Sequence, residues 1–117
     1  MKIGKVLRNA EGGLLLFQCP GCECMHQVRV GVDAHPCWTW NGDVHRPTFS
    51  PSILVRYSHH VPPVTPENME EWRRAPWPQT KVEDVCHSFV TDGQIQFLSD
   101  CTHKLAGQTV PLPDVDD

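Results

Sequence analysis

The sequence predicts a mainly β fold, a small antiparallel sheet or open barrel of short hairpins with one short helix. Three observations predict it. Apolar residues recur with period two in several short runs, most clearly from Cys86 to Ser99, so alternate side chains share a face. Eleven prolines and eight glycines are spread over 117 residues, which favours short strands and much loop. Hydrophobic residues make up 39% of the chain and charged residues 21%. That composition supports one domain, residues 1–117, with a small core that extra cross-linking would stabilise.

The elements follow in order. Met1 to Arg8 alternates loosely around Ile3 and Val6 and predicts a first short strand; Glu11-Gly12-Gly13 is a turn. Leu14 to Gln18 runs into Cys19-Pro20-Gly21-Cys22, and Met25 to Val32 runs out of it. Val28, Val30 and Val32 lie on one face, with Gln27, Arg29 and Gly31 on the other. This is a hairpin with the cysteine turn at its tip.

Cys37 to Asp43 carries two tryptophans and an Asn-Gly turn signal, so a strand ends there and the chain reverses. Phe49, Ile53 and Val55 form a second alternating run, which Pro47 and Pro51 mark as an edge strand or an ordered loop. Residues 58–82 form a proline-rich excursion that places His59-His60 in a surface loop. Within it, residues 66 to 74 read as a helix with Thr65 as cap, Pro66 at the first position, glutamates early and Arg73-Arg74 late.

Cys86 to Ser99 is a hairpin around Asp92-Gly93, pairing Thr91 with Gln94, Val90 with Ile95 and Ser88 with Phe97. Its core face holds Cys86, Ser88, Val90, Ile95 and Phe97, and its other face His87, Phe89, Gln96 and Leu98. Residues 100 to 107 have helix-turn composition ending at Gly107. Thr109 to Leu112 is a last strand before the acidic tail at 113–117.

The chemistry starts from the cysteines. Two thiols separated by Pro-Gly can both point at one ion, the spacing of a zinc knuckle, and a structural zinc takes four ligands. The remaining soft ligands cluster at Cys86-His87 and at Asp100 to His103. The expected set is therefore Cys19, Cys22, Cys86 and His87 around one Zn2+, with His26 or His103 as substitutes for the last. Neighbouring strand residues point to opposite faces, so His87 can join Cys86 only if the strand begins irregularly there. Cys24, Cys37 and Cys101 are read as free thiols. His87, Asp100 and His103 are also the candidate catalytic residues, should the metal keep an open position and activate water. Neither a His-Glu-x-x-His segment nor a deaminase-type pattern is present. Trp38 and Trp40 are read as aromatic core.

Ten basic and fourteen acidic residues give a net charge of −4. Nucleic-acid binding through the knuckle hairpin is thus an alternative, not the favoured reading. The longest apolar run of the first part, Leu14 to Phe17, is too short for a signal or spanning segment. Six cysteines without a secretory signal suggest reduced thiols and a cytoplasmic protein.

Trp38 to Asp43, Arg46 to Leu54, Cys86 to Val90 and His103 to Val110 together resemble a family of small phage and prophage proteins that often carries the label ammonia monooxygenase. That activity belongs to a membrane-associated, multi-subunit enzyme and does not fit a chain of this size. The chain is also similar, more distantly, to bacterial proteins encoded beside ubiquitin-like conjugation components, which have an early cysteine pair and a later Cys followed closely by His. This likeness implies one zinc site from Cys19, Cys22, Cys86 and His87. The expected function is a phage-encoded accessory protein in the host cytoplasm, with a structural zinc and a protein partner, countering host defence being one such role. A zinc-dependent hydrolase is the alternative. The sequence sets no oligomeric state.

Overall fold

A computed structural model describes residues 2–31 and 36–115. The first sheet is built around the knuckle hairpin. β1 (Arg8–Ala10), β2 (Leu14–Cys19) and β3 (Cys24–Arg29) are antiparallel and lie in that order. Gly12 and Gly13, both with φ near +78°, make the β1–β2 turn in a conformation that glycine adopts without strain. Alternation in β2 buries Leu15, Phe17 and Cys19; on β3, Val28 and His26 stand opposite Leu15 and Phe17 and are buried with them.

The second sheet has five antiparallel strands in sequence order: β4 (Thr39–Trp40), β5 (Phe49–Val61), β6 (Thr80–Thr91), β7 (Gln94–Phe97) and β8 (Thr109–Pro111). The β6–β7 hairpin has the predicted register, pairing Thr91 with Gln94, Val90 with Ile95 and Ser88 with Phe97. Asp92 and Gly93 carry the positive φ that a two-residue turn of this twist demands. Cys86, Ser88, Val90, Ile95 and Phe97 are buried as the alternation requires.

The two sheets share one hydrophobic cluster, in which Phe17 of the first stacks on Phe49 of the second with ring centroids 6.2 Å apart. Neither sheet closes, so the open-sheet form of the expectation holds and no barrel forms among the described residues.

Several boundaries move. β1 starts at Arg8, because Ile3 N–H donates to Leu7 O and folds residues 2–7 back into a turn. The excursion is shorter than 58–82: β5 and β6 stay paired out to Val61 and Thr80, so His59 and His60 lie on a strand and not in a loop. The helix α1 spans Met69–Arg74 with Asn68 at its N-cap. Thr65 does not cap it. Asn68 Oδ1 accepts the Thr65 N–H (2.7 Å) while Asn68 N–H donates to Thr65 O (3.1 Å), and this turn absorbs Pro66 and Glu67. Residues 100 to 107 form turns instead of a helix, ending at Gly107 with φ +79°. Val32, expected on the same face as Val28 and Val30, lies outside the described residues.

Because the Phe17–Phe49 stack joins the sheets, Phe17→Ala is expected to cost about 3 to 5 kcal/mol of folding stability. Urea denaturation followed by tryptophan fluorescence measures it. A loss below about 1 kcal/mol would show that the sheets are held together elsewhere.

Candidate active site and metal centre

The knuckle turn closes as its sequence dictates. Glu23 N–H donates to Cys19 O (2.8 Å), Cys22 N–H donates to Cys19 Sγ (3.4 Å), and Glu23 takes φ +58° to bring the chain back into β3. Gly21 packs closely against the imidazole of His103; a Cβ there would collide with the ring. The turn faces the middle of β6. Cys19, Cys22, His26 and Cys86 offer ligand atoms that all lie within 4.8 Å of one another and can hold a metal ion.

The donor set fits such an ion. Tetrahedral sulfur ligation with bonds of about 2.3 Å puts sulfurs about 3.8 Å apart. Cys19 Sγ and Cys86 Sγ are separated by 3.9 Å. His26 Nε2 is buried and has no hydrogen-bond partner, an arrangement that is costly for a polar atom unless something else binds it. The thiols also compete for charge. Hydrogen bonding from Cys86, then the nearby His26 imidazole and the Cys22 N–H, holds Cys19 down at about 4 despite its burial. The same Cys19 contact, then burial and charge repulsion, pushes Cys86 well above the thiol range; burial first of all pushes Cys22 up to about 11. One sulfur takes the negative charge and its neighbours hold their protons, which is the behaviour of a cluster that a dication would fully deprotonate.

The structure brings His26 to the three sulfurs and takes His87 elsewhere. β6 is regular from Thr80, so Cys86 and His87 sit mid-strand and project to opposite faces. Cys86 is buried against the knuckle, and His87 stands on the outer face. There its Nδ1 is 3.1 Å from Asp100 Oδ2 and its Nε2 is 2.9 Å from Ser52 Oγ. In the tautomer that satisfies both, Nδ1–H donates to the carboxylate and Nε2 accepts the serine O–H. A hydroxyl, an imidazole and a carboxylate are thus connected in the order of a nucleophile, its base and the group that orients the base.

Each member is held by its surroundings. β5 opposes β6 with Phe49 at Val90 and Ile53 at Ser88, so Ser50, Pro51 and Ser52 bulge against the single residue Phe89. The bulge sets Ser52 beside His87. Trp38 Nε1–H donates to Ser52 O at 3.3 Å and ties that segment to the residue preceding β4. Cys101 grips the backbone of His87 on its far side: His87 N–H donates to Cys101 Sγ, and the Cys101 thiol donates to His87 O, each at 3.2 Å. Thr102 repeats the pattern one residue pair along, accepting the Val85 N–H on its Oγ1 (3.0 Å) and donating its N–H to Val85 O (2.9 Å). The 100–102 segment therefore runs beside β6 and carries Asp100 to the imidazole.

His103, read from sequence as both substitute ligand and catalytic candidate, joins neither arrangement fully. Its Nδ1 accepts the Leu105 N–H, its ring packs edge-on to Phe97 with centroids 4.4 Å apart, and its Nε2 is buried without a partner. It lies within 4.8 Å of Cys86 and Cys101, a second group able to hold an ion. Cys86 is common to both groups and Cys101 is already engaged by His87, so the four-residue set is the more complete. Ser52 is the residue that sequence reasoning missed. Its signal was a hydroxyl inside a proline-interrupted strand, which bends where a regular strand would not.

The bacterial ubiquitination-like system serine protease family (BubE) matches residues 1–98. The chain belongs to this family. The match includes Ser52 and His87 and ends at Leu98, just before Asp100. It agrees with the likeness to proteins encoded beside ubiquitin-like conjugation components. No curated protein and no solved structure matches the chain. Among the described residues no helix is long and apolar enough to cross a membrane.

The two centres separate by substitution. Purified protein should carry about one metal ion per chain by plasma mass spectrometry. His26→Ala should reduce that content strongly, and His87→Ala should leave it unchanged. The reverse result would return His87 to the metal.

Proposed function

We propose that this chain is a serine protease of a bacterial ubiquitination-like system, with Ser52 as nucleophile, His87 as general base and Asp100 as the carboxylate that orients it. The observation that carries the reading is the continuous hydrogen-bonded chain from Ser52 Oγ through both His87 nitrogens to Asp100, in a family whose description names that activity.

The mechanism follows from the geometry. As Ser52 Oγ attacks a peptide carbonyl, its proton passes to His87 Nε2, and the imidazolium that forms is stabilised by the Asp100 carboxylate. His87 then gives that proton to the departing amine, leaving an acyl group on Ser52. Water, deprotonated by the same Nε2, releases the acid and restores the serine. The Asp100 side chain is about half exposed, so its contribution is chiefly orientation of the ring and choice of tautomer.

In this reading the metal is Zn2+ and structural. Cys19, Cys22, His26 and Cys86 fill four corners, which supports a closed site over one that keeps an open position for water. When bound, zinc would cross-link the knuckle to β6. The acid and base groups that a zinc hydrolase would require, His87 and Asp100, are bonded to each other and to a serine. All six cysteines are free of disulfides, which supports a reducing compartment such as the cytoplasm.

A second reading, an accessory protein that works by binding a phage or host protein, draws on exposed Leu54, Tyr57 and Phe89. It differs in needing no serine.

The test is direct. A fluorophosphonate should label the protein, and peptide mapping should find the label on Ser52. Ser52→Ala and His87→Ala should each abolish labelling, and Asp100→Asn should slow it by about 10²- to 10⁴-fold, as loss of the correct tautomer does in such triads. Labelling that survives Ser52→Ala would refute the assignment.

A further inference from the structure

β5 is bordered on one side by β6 along Ile53 to Val61. On its other side β4 pairs only with Phe49 and Ser50, and among the described residues no strand continues past that point. The open side begins at the proposed nucleophile.

Its hydrogen-bonding groups can be assigned from the register. His87 O accepts the Leu98 N–H at 2.9 Å and His87 N–H donates to Cys101 Sγ, so the peptide groups of His87 point away from β5. His87 opposes Leu54, which makes this a non-hydrogen-bonded pair, and Leu54 directs its own N–H and C=O to the open side. Val85 points away in the same manner, toward Thr102, and it opposes Arg56. Arg56 therefore also presents both groups outward. Ser52 fits the same parity, since its carbonyl already takes the Trp38 indole N–H on that side. A row of backbone donors and acceptors thus leads away from Ser52, with the spacing of a strand, about 6.6 to 6.8 Å from one outward residue to the next.

The side chains agree with the backbone. Leu54 is 47% exposed and Phe89 41% exposed, and both lie on the outer face with His87, Leu54 directly opposite it and Phe89 two residues along β6. An unpaired edge of this length is a hazard that natural sheets blunt, unless the edge has a use.

We propose that this edge is the docking line for the substrate: an extended peptide segment adds to the sheet as a strand beside Leu54 and Arg56, with apolar side chains on Leu54 and Phe89, and presents its scissile carbonyl to Ser52. The proposal rests on the triad reading. It adds the substrate class, an unfolded segment or tail in place of a folded loop or a small amide, because only an extended main chain can satisfy alternate backbone groups along a strand edge.

The experiment uses the full chain and a randomised twelve-residue peptide library, with cleavage products read by mass spectrometry. One cleaved peptide is then resynthesised with a single N-methyl group at each position in turn. Strand addition predicts a period of two: methylation at alternate positions lowers kcat/KM at least tenfold, chiefly through KM, and methylation between them has a much smaller effect. Arg56→Pro, which removes an outward N–H while sparing the β6 ladder, should lower kcat/KM on the same peptide at least tenfold, with circular dichroism checking the fold. A methylation profile without alternation would overturn the docking line. So would a library in which nothing is cut while fluorophosphonate still labels Ser52, and that result would leave the triad standing. Loss of labelling together with cleavage would instead sink the triad, and the docking line with it. A dimer by light scattering that dissociates on Arg56→Pro would give the edge to a second copy and also overturn the proposal.

Discussion

The structure depends on the alternation of side chains at Cys86 and His87. A strand sends neighbouring residues to opposite faces, and β6 is regular through this pair. One residue reaches the knuckle inside and the next reaches Ser52 and Asp100 outside. The candidate metal site and the proposed triad therefore adjoin through one peptide bond without sharing a side chain. Any shift of β6 by one residue would exchange their faces and lose both arrangements, so the register of this strand is tightly constrained.

What surrounds β6 serves to fix that register. The β6–β7 turn sets one end, and the Cys101 and Thr102 contacts hold the backbone of His87 and Val85 from the side that β7 leaves uncovered. The bulge at Ser50 to Ser52 then supplies what a regular β5 could not. Three residues opposite one carry Ser52 out of step and into reach of the imidazole, the re-aiming for which bulges near active sites are known. The knuckle works from the inner face. Its two cysteines bring the first sheet to Cys86, so a metal held there would act on the same inter-sheet gap as the hydrophobic stack of Phe17 on Phe49.

Much of this was legible in the sequence, and the divide is physical. Period-two burial and the Asp92-Gly93 turn specify the β6–β7 hairpin residue by residue, because a two-residue turn leaves only one register. The Cys-Pro-Gly-Cys turn likewise specifies its own hairpin. The helix start is less legible because Thr65, the cap that the sequence offers, instead donates its N–H to Asn68 Oδ1, and that turn delays the helix to Met69. Composition overstates the excursion because prolines at its tip conceal how far the β5–β6 ribbon extends. His87 was drawn to the metal by adjacency to Cys86, although the alternation that separates them was visible from sequence. Whether β6 started before Cys86 was the missing fact. Ser52 was hidden for another reason: a nucleophilic serine has no spacing rule, and only the bulge brings it to His87.

The open edge of β5 gains its meaning from where the bulge lies. A bulge ends the regular pairing of β4 at Ser50 and leaves the following carbonyl to Trp38, so the first uncovered backbone groups come immediately after the serine. Had β4 continued along β5, the serine would face a finished sheet, and a substrate could approach only from above. Because β4 stops, the sheet is one strand short at the point where the Ser52 hydroxyl meets His87. An incoming chain that completes the sheet is carried by the same hydrogen-bond ladder toward the nucleophile. In the proposed docking mode its main chain would be held before any side chain is read, and specificity would fall to the few residues, Leu54 and Phe89 among them, that stand beside His87 on the outer face.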